Sequence, residues 1–205
     1  MQSARDLGVI LDSQLSLSVH IAALCRSGFY QLRQIRPAIR SLTPDAARTI
    51  VQAFIACRLD WGNSHLYGVP ENLLRKVQSV QNAAARLLTS ARRCDHITTL
   101  LRQLHWLPVQ RRVEFKSARL VHQSLDSLAP TYLTTDIHLV SEYGCRPLRS
   151  STDRTLTVPR THNRFGDRSF AVAGPRLWNS LPISLRQISS YRQFRRYLKN
   201  YLFGI

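Results

Sequence analysis

The chain has 205 residues, 44% of them hydrophobic, with 29 lysines and arginines against 12 acidic side chains and a formal charge of +17. That length and apolar content suffice for one sizeable domain or two small ones, and the charge makes a polyanion the expected partner. No run of about 18 uncharged apolar residues is present, which argues against a membrane-spanning helix. The N-terminus, with Asp6 and Asp12, fits neither a secretory signal nor a transit peptide.

The opening residues predict a short strand over Leu7–Leu11, with Leu7, Val9 and Leu11 on one face and a turn at Asp12-Ser13. It has no obvious partner in the next hundred residues, so residues 1–19 read as the orphan edge of something larger. A helix follows, with Ile21, Leu24, Gly28, Leu32 and Ile35 at helical spacing, Arg26 and Arg33 on a shared face, and Pro37 as its expected end or kink. Thr43 is a candidate N-cap for the next helix, with Pro44 at its first position and Asp45 favourable at the positive end of the dipole. Ala47, Ile50, Val51, Phe54, Ile55 and Leu59 then form one apolar stripe, stopped by Gly62 and Asn63.

Pro70 and Glu71 mark another entry, and Leu73, Leu74, Val77, Val80, Ala84, Leu87 and Leu88 keep to one side. Asp95 is placed to cap a shorter helix, and Pro108 to begin one charged by Arg111, Arg112, Lys116 and Arg119. The expected class is mainly α: a helical bundle over 20–130, an Arg/Pro/Gly-rich β or irregular segment over 131–182, and a C-terminal helix in 183–205. In the middle segment "TLTV" and "RSFAVA" read as short strands of a hairpin or as an irregular, partly disordered loop, with Phe165, Phe170 and Trp178 arguing for docking. Six arginines there, Arg146, Arg149, Arg154, Arg160, Arg164 and Arg168, read as a disordered basic tract. In the last helix Ser190 and Gln193 have capping-box spacing, with Phe194, Leu198, Tyr201 and Leu202 as the buried face.

Basic residues are nearly all arginine, the side chain suited to bidentate phosphate contact; Lys76, Lys116 and Lys199 are the lysines. Their excess grows along the chain, from 7 basic against 4 acidic in residues 1–60, to 10 against 4 in 61–130 and 12 against 4 in 131–205. Arg192, Arg195, Arg196 and Lys199 fall at i, i+3, i+4 and i+7 and share one stripe. They lead the candidates for phosphate contact, followed by Arg86, Arg92, Arg93, Arg111 and Arg112. Trp61, Tyr67, Trp106 and Trp178 read as core or docking aromatics rather than base-stacking platforms.

Catalytic patterns are missing. The carboxylates are scattered, with no pair placed for two-metal or acid–base chemistry, and no phosphate loop, nucleophile elbow or zinc helix occurs. The four cysteines, at 25, 57, 94 and 145, form no C-x-x-C; Cys94-Asp-His96 with His105 reads as a helix–loop connection rather than a metal site. Isolated thiols suit an intracellular, reducing compartment. No cofactor is expected.

Six stretches in order, "LGVILDSQLSLSVHI", "RLDWGNSHLYGVP", "VQNAAARLL", "LHWLPVQRRVEFK", "RSFAVAGPRLWNSLP" and "FRRYLKNYLF", resemble the C-terminal part of a LINE-type (non-LTR) retrotransposon reverse transcriptase of the jockey-like group. The resemblance implies that Leu7–Asp12 is the edge of a palm domain and that the following helices are its thumb. The family's catalytic aspartates, in a Y/F-A-D-D motif upstream of that strand, are not in this sequence. The implied partner is RNA or DNA gripped by its phosphates without sequence reading, with a palm in trans as a further partner. Two other readings stay open: a helical protein-interaction module, and a non-functional retrotransposon relic.

Overall fold

The computed structural model describes residues 3–142 and 153–204. Of the arginines in the middle segment, Arg146 and Arg149 lie outside the described residues. The class is as expected: mainly helical, with a two-stranded antiparallel sheet at the start. Contacts divide the chain into two compact units, Met1–Arg112 and Val113–Ile205.

The first strand has a partner after all. Strands β1 (Ser3–Asp6) and β2 (Val9–Asp12) form a hairpin in the register Ser3↔Asp12 to Asp6↔Val9. Leu7 belongs to the turn rather than to a strand face; it is 83% exposed, with φ 44°, and Gly8 has φ 87°. Two positive φ values in a two-residue loop match the right-handed twist of the flanking strands. The strand expected to be unpaired therefore has a partner within the chain. Val9 is the buried residue of β2, the Trp61 indole donates to the Leu7 carbonyl at 2.9 Å, and the Ile10 amide donates to His20 Nδ1 at 3.3 Å.

Helix α1 (Ser18–Ile39) buries His20, Ile21, Gly28 and Leu32. It runs through Pro37 to Ile39, so the proline falls within the last turn and does not end the helix. Thr43 does cap α2 (Pro44–Val51), accepting the Ala46 amide, with Pro44 in the first turn. A π-helical turn over Gln52–Ala56 then joins α2 to α3 (Cys57–Asp60). This wide turn retains Ala47, Val51, Ile55 and Leu59, four residues apart, in the core, where the ordinary α pitch would let them drift round the helix. It also brings Ala56 inside and leaves Phe54, an expected core residue, 44% exposed.

Helix α4 (Glu71–Thr89) packs on α1, burying Val77, Val80, Ala84 and Ala85. The approach is close enough that a Cβ at Gly28 would stand 2.7 Å from Val80 Cγ1. Helix α4 also carries two glutamines that periodicity does not single out. The Gln81 side chain donates to the Leu107 carbonyl at 2.9 Å, and Gln78 Oε1 accepts the Val109 amide at 2.8 Å. Together they fix the Leu107-Pro108-Val109 corner between α5 (Ile97–Gln103) and α6 (Val109–Leu125). Asp95 does not cap α5; its carboxylate accepts the Arg92 amide at 2.6 Å in the preceding turn.

The second unit departs furthest from expectation. After the short α7 (Thr131–Thr134) comes an isolated bridge between Leu139 and Leu156 in place of a hairpin. "RSFAVA" is not a strand: Phe170–Ser180 is a helix, α8, and Gly174-Pro175 lies inside it. A Cβ at Gly174 would meet Val121 Cγ2 at 2.9 Å, so the glycine permits close packing of α8 on α6. Trp178 is fully buried, whereas Phe165 is 51% exposed and does not dock.

Segment 153–156 is held by side chains. Asn179 accepts the Leu156 amide at 2.9 Å and donates to the Leu156 carbonyl at 2.8 Å, as a neighbouring strand would. The Trp178 indole donates to the Arg154 carbonyl at 2.8 Å, and buried Arg186 donates to the Asp153 carbonyl at 2.9 Å and to Thr155 Oγ1 at 3.0 Å. Arg154 is thus placed and not part of a disordered tract: its guanidinium pairs with Asp126 at 3.3 Å. Asp126 also lies 3.0 Å from Nδ1 of fully buried His122, whose Nε2 lies 2.8 Å from the Ile188 carbonyl oxygen and whose ring stacks on Phe194 at 4.4 Å.

Candidate nucleic-acid interface

The last ordered element divides its residues by chemistry. After α9 (Ile183–Arg186), Ser190 precedes α10 (Tyr191–Phe203) as its N-cap residue, without the side-chain capping bond that the Ser190–Gln193 spacing predicts. Phe194, Leu198 and Leu202 are buried, while Tyr201, expected beside them, is 44% exposed. About 100° of rotation per residue puts Arg192, Arg195, Arg196 and Lys199 on one flank and Tyr197 and Tyr201 on the other. The three arginines are exposed; Lys199 is half-buried, its Nζ 5.9 Å from the centre of the Phe203 ring.

The flank is uncompensated in sequence as well as in space. From Arg168 to the end of the chain no aspartate or glutamate occurs, against six arginines and Lys199. That run was readable in advance but is diluted when charge is counted over long windows. Nearby, Arg119 on α6 is not spent on a carboxylate either. It donates to the Tyr191 hydroxyl at 2.7 Å and lies 5.5 Å from the Phe115 and Tyr191 ring centres, which fixes the start of α10.

The candidates of the first unit are less uniform. Arg92 and Arg93 are exposed on the loop after α4, and Arg111 is exposed on the first turn of α6. Arg86 is half-buried, and its Nε is enclosed without a hydrogen bond. Arg112 differs in kind: it is bound to Asp60 of α3, with its side chain 18% exposed, and so ties α6 to α3. A guanidinium occupied in this way is a structural tie, and Arg112 leaves the set of phosphate contacts.

Among the described residues no group of three or more His, Cys, Asp or Glu side chains is placed to hold a metal ion, and no helix is long and apolar enough to cross a membrane. Comparison with protein-family models, curated proteins and solved structures gave no match.

Proposed function

We propose that the chain binds RNA or DNA through the phosphate backbone without sequence specificity, as a non-catalytic fragment akin to the thumb and C-terminal extension of a non-LTR reverse transcriptase. The observation that carries this is the α10 flank: three exposed arginines on a helix anchored by Phe194, Leu198 and Leu202, in a stretch without acidic residues. Arginines on a rigid helix neutralise successive phosphates and release their counterions, so affinity comes without base reading. The six ordered sequence stretches quoted above support the kinship.

The test is a duplex and a single-stranded RNA titrated over salt with the parent chain and with Arg192, Arg195, Arg196 and Lys199 all changed to alanine. Affinity falls for every sequence alike, and the slope of log K against log salt loses about 0.9 per duplex phosphate contact removed. An unchanged slope and affinity defeats the reading. The exposed Tyr197 and Tyr201 flank of α10 favours the second reading, a helical protein-interaction module, which predicts binding of a protein partner that persists at moderate salt.

A further inference from the structure

A cleft of about 530 Å³ opens in the first unit, lined by Arg48 and Gln52 from the α2–π-turn stretch and by Gln103, His105 and Trp106 at the end of α5, over Ala53 and Leu88. Its size falls within the roughly 300–1,000 Å³ of small-ligand sites. The side chains of Gln52, Gln103, His105 and Trp106 make no hydrogen bond among the described residues, and Arg48 has only a 3.9 Å ion pair with Asp45, both groups exposed. The π-helical turn supplies part of this wall, and such turns recur at functional sites.

The backbone at the rim adds an independent observation. Helix α5 ends with the His105 amide donating to the Arg102 carbonyl at 3.0 Å and the Trp106 amide to Leu101 at 2.8 Å. In this helix-ending motif the residue in the left-handed conformation is usually glycine. Here it is His105, with φ 54°, and this turn sets its imidazole at the rim of the cleft beside Trp106.

We propose that this cleft receives one unstacked nucleobase of a single-stranded nucleic acid, with the base against the Trp106 indole, the Gln52 and Gln103 amides at its hydrogen-bonding edge, and Arg48 at the adjoining phosphate. The proposal rests on the reading of the chain as a nucleic-acid binder and gives it a preference that backbone contacts alone do not. Each amide offers a donor and an acceptor, matching the mixed edges of bases. An indole face accepts any base, which keeps the site tolerant of sequence. Trp106 thereby moves from core aromatic to stacking platform.

The experiment uses the full chain and a short single strand with a central 2-aminopurine as its sole base and abasic sites elsewhere, its twin abasic throughout, and a fully paired duplex of the same length. The 2-aminopurine emission is quenched on binding, and the abasic twin binds about tenfold more weakly, as loss of one stacked base requires. His105→Gly holds the thermal midpoint at or above that of the parent yet weakens single-strand binding about threefold, and Gln52→Ala with Gln103→Ala weakens it likewise. Trp106→Leu weakens it about tenfold. None of these alters duplex affinity, which depends on α10. Equal binding of the abasic twin, or parental single-strand affinity in the His105→Gly and double-glutamine variants, overturns the proposal. The α10 variant tests the broader reading separately: single-strand binding that survives it and is lost in the cleft variants supports the cleft alone.

Discussion

In the first unit α1 and α4 meet across Gly28 and Val80, and apolar residues at helical spacing make most of the core. In the second unit Asn179, Trp178 and Arg186 stitch an irregular segment into place through its own amides and carbonyls. The first arrangement depends on a repeating pattern, so damage to one position is shared among neighbours. The second concentrates the task in single side chains, each supplying what a missing strand would have supplied. A unit built in that way has few substitutes for any of them.

The sharpest break between the units comes at Trp178. Trp178→Ala opens a cavity beside Phe194 and also frees the Arg154 carbonyl, and should cost about 3–5 kcal/mol. Denaturant unfolding would show the second unit melting first; a single unchanged transition would remove the contrast. Next is Asn179→Ala, which leaves both polar groups of buried Leu156 unpaired at about 2 kcal/mol, read as fast amide exchange at Leu156.

Gly28→Ala probes the other unit. The new methyl meets Val80 and should cost about 1–3 kcal/mol by overpacking, and Val80→Ala on the same chain should return part of it. A smaller effect follows Arg112→Ala: about 1 kcal/mol of stability, from a part-buried pair discounted for solvent, with duplex affinity nearly unchanged. A large affinity loss there would restore Arg112 to the interface.

The smallest effect is that of acid on the first unit. Burial, with neighbouring His65 second, lowers the pKa of His20 below its ordinary 6.5, and its Nδ1 must be unprotonated to accept the Ile10 amide. The unfolded chain then binds the proton more readily than the folded one, so this contribution is intact above about pH 6.5 and declines as pH falls below it. Hydrogen exchange at Ile10 should quicken over that range, and His20→Asn should flatten the dependence.

Periodicity made α1, α2, α4 and α10 legible, because each buries a repeating face that composition and spacing record. It failed at residues 52–56, where one wide turn exchanges Phe54 for Ala56 without altering the spacing of Ala47, Val51, Ile55 and Leu59. It failed again at 168–173: alternation suggested a strand, but burial of Val172, Ala173, Leu177 and Trp178, with Gly174 against Val121 of α6, carries a helix through a proline. The clamps of Asn179 and Arg186 leave no periodic trace, since each is one side chain bonded to backbone distant in sequence. At the candidate interface the α10 stripe was readable from spacing, while the engagement of Arg112 depends on Asp60, 52 residues away.

The wide turn between α2 and α3 has a consequence for how this chain tolerates length changes. It holds one residue more than ordinary winding needs, so deleting a single residue between Gln52 and Ala56 would restore the common pitch and leave Leu59 and Asp60 near their present phase, with Asp60 still on Arg112. A deletion in the regular winding of α4, which holds no such surplus, would instead turn everything beyond it by about 100°. The wide turn is slack that the helix can surrender without disengaging its distant contacts.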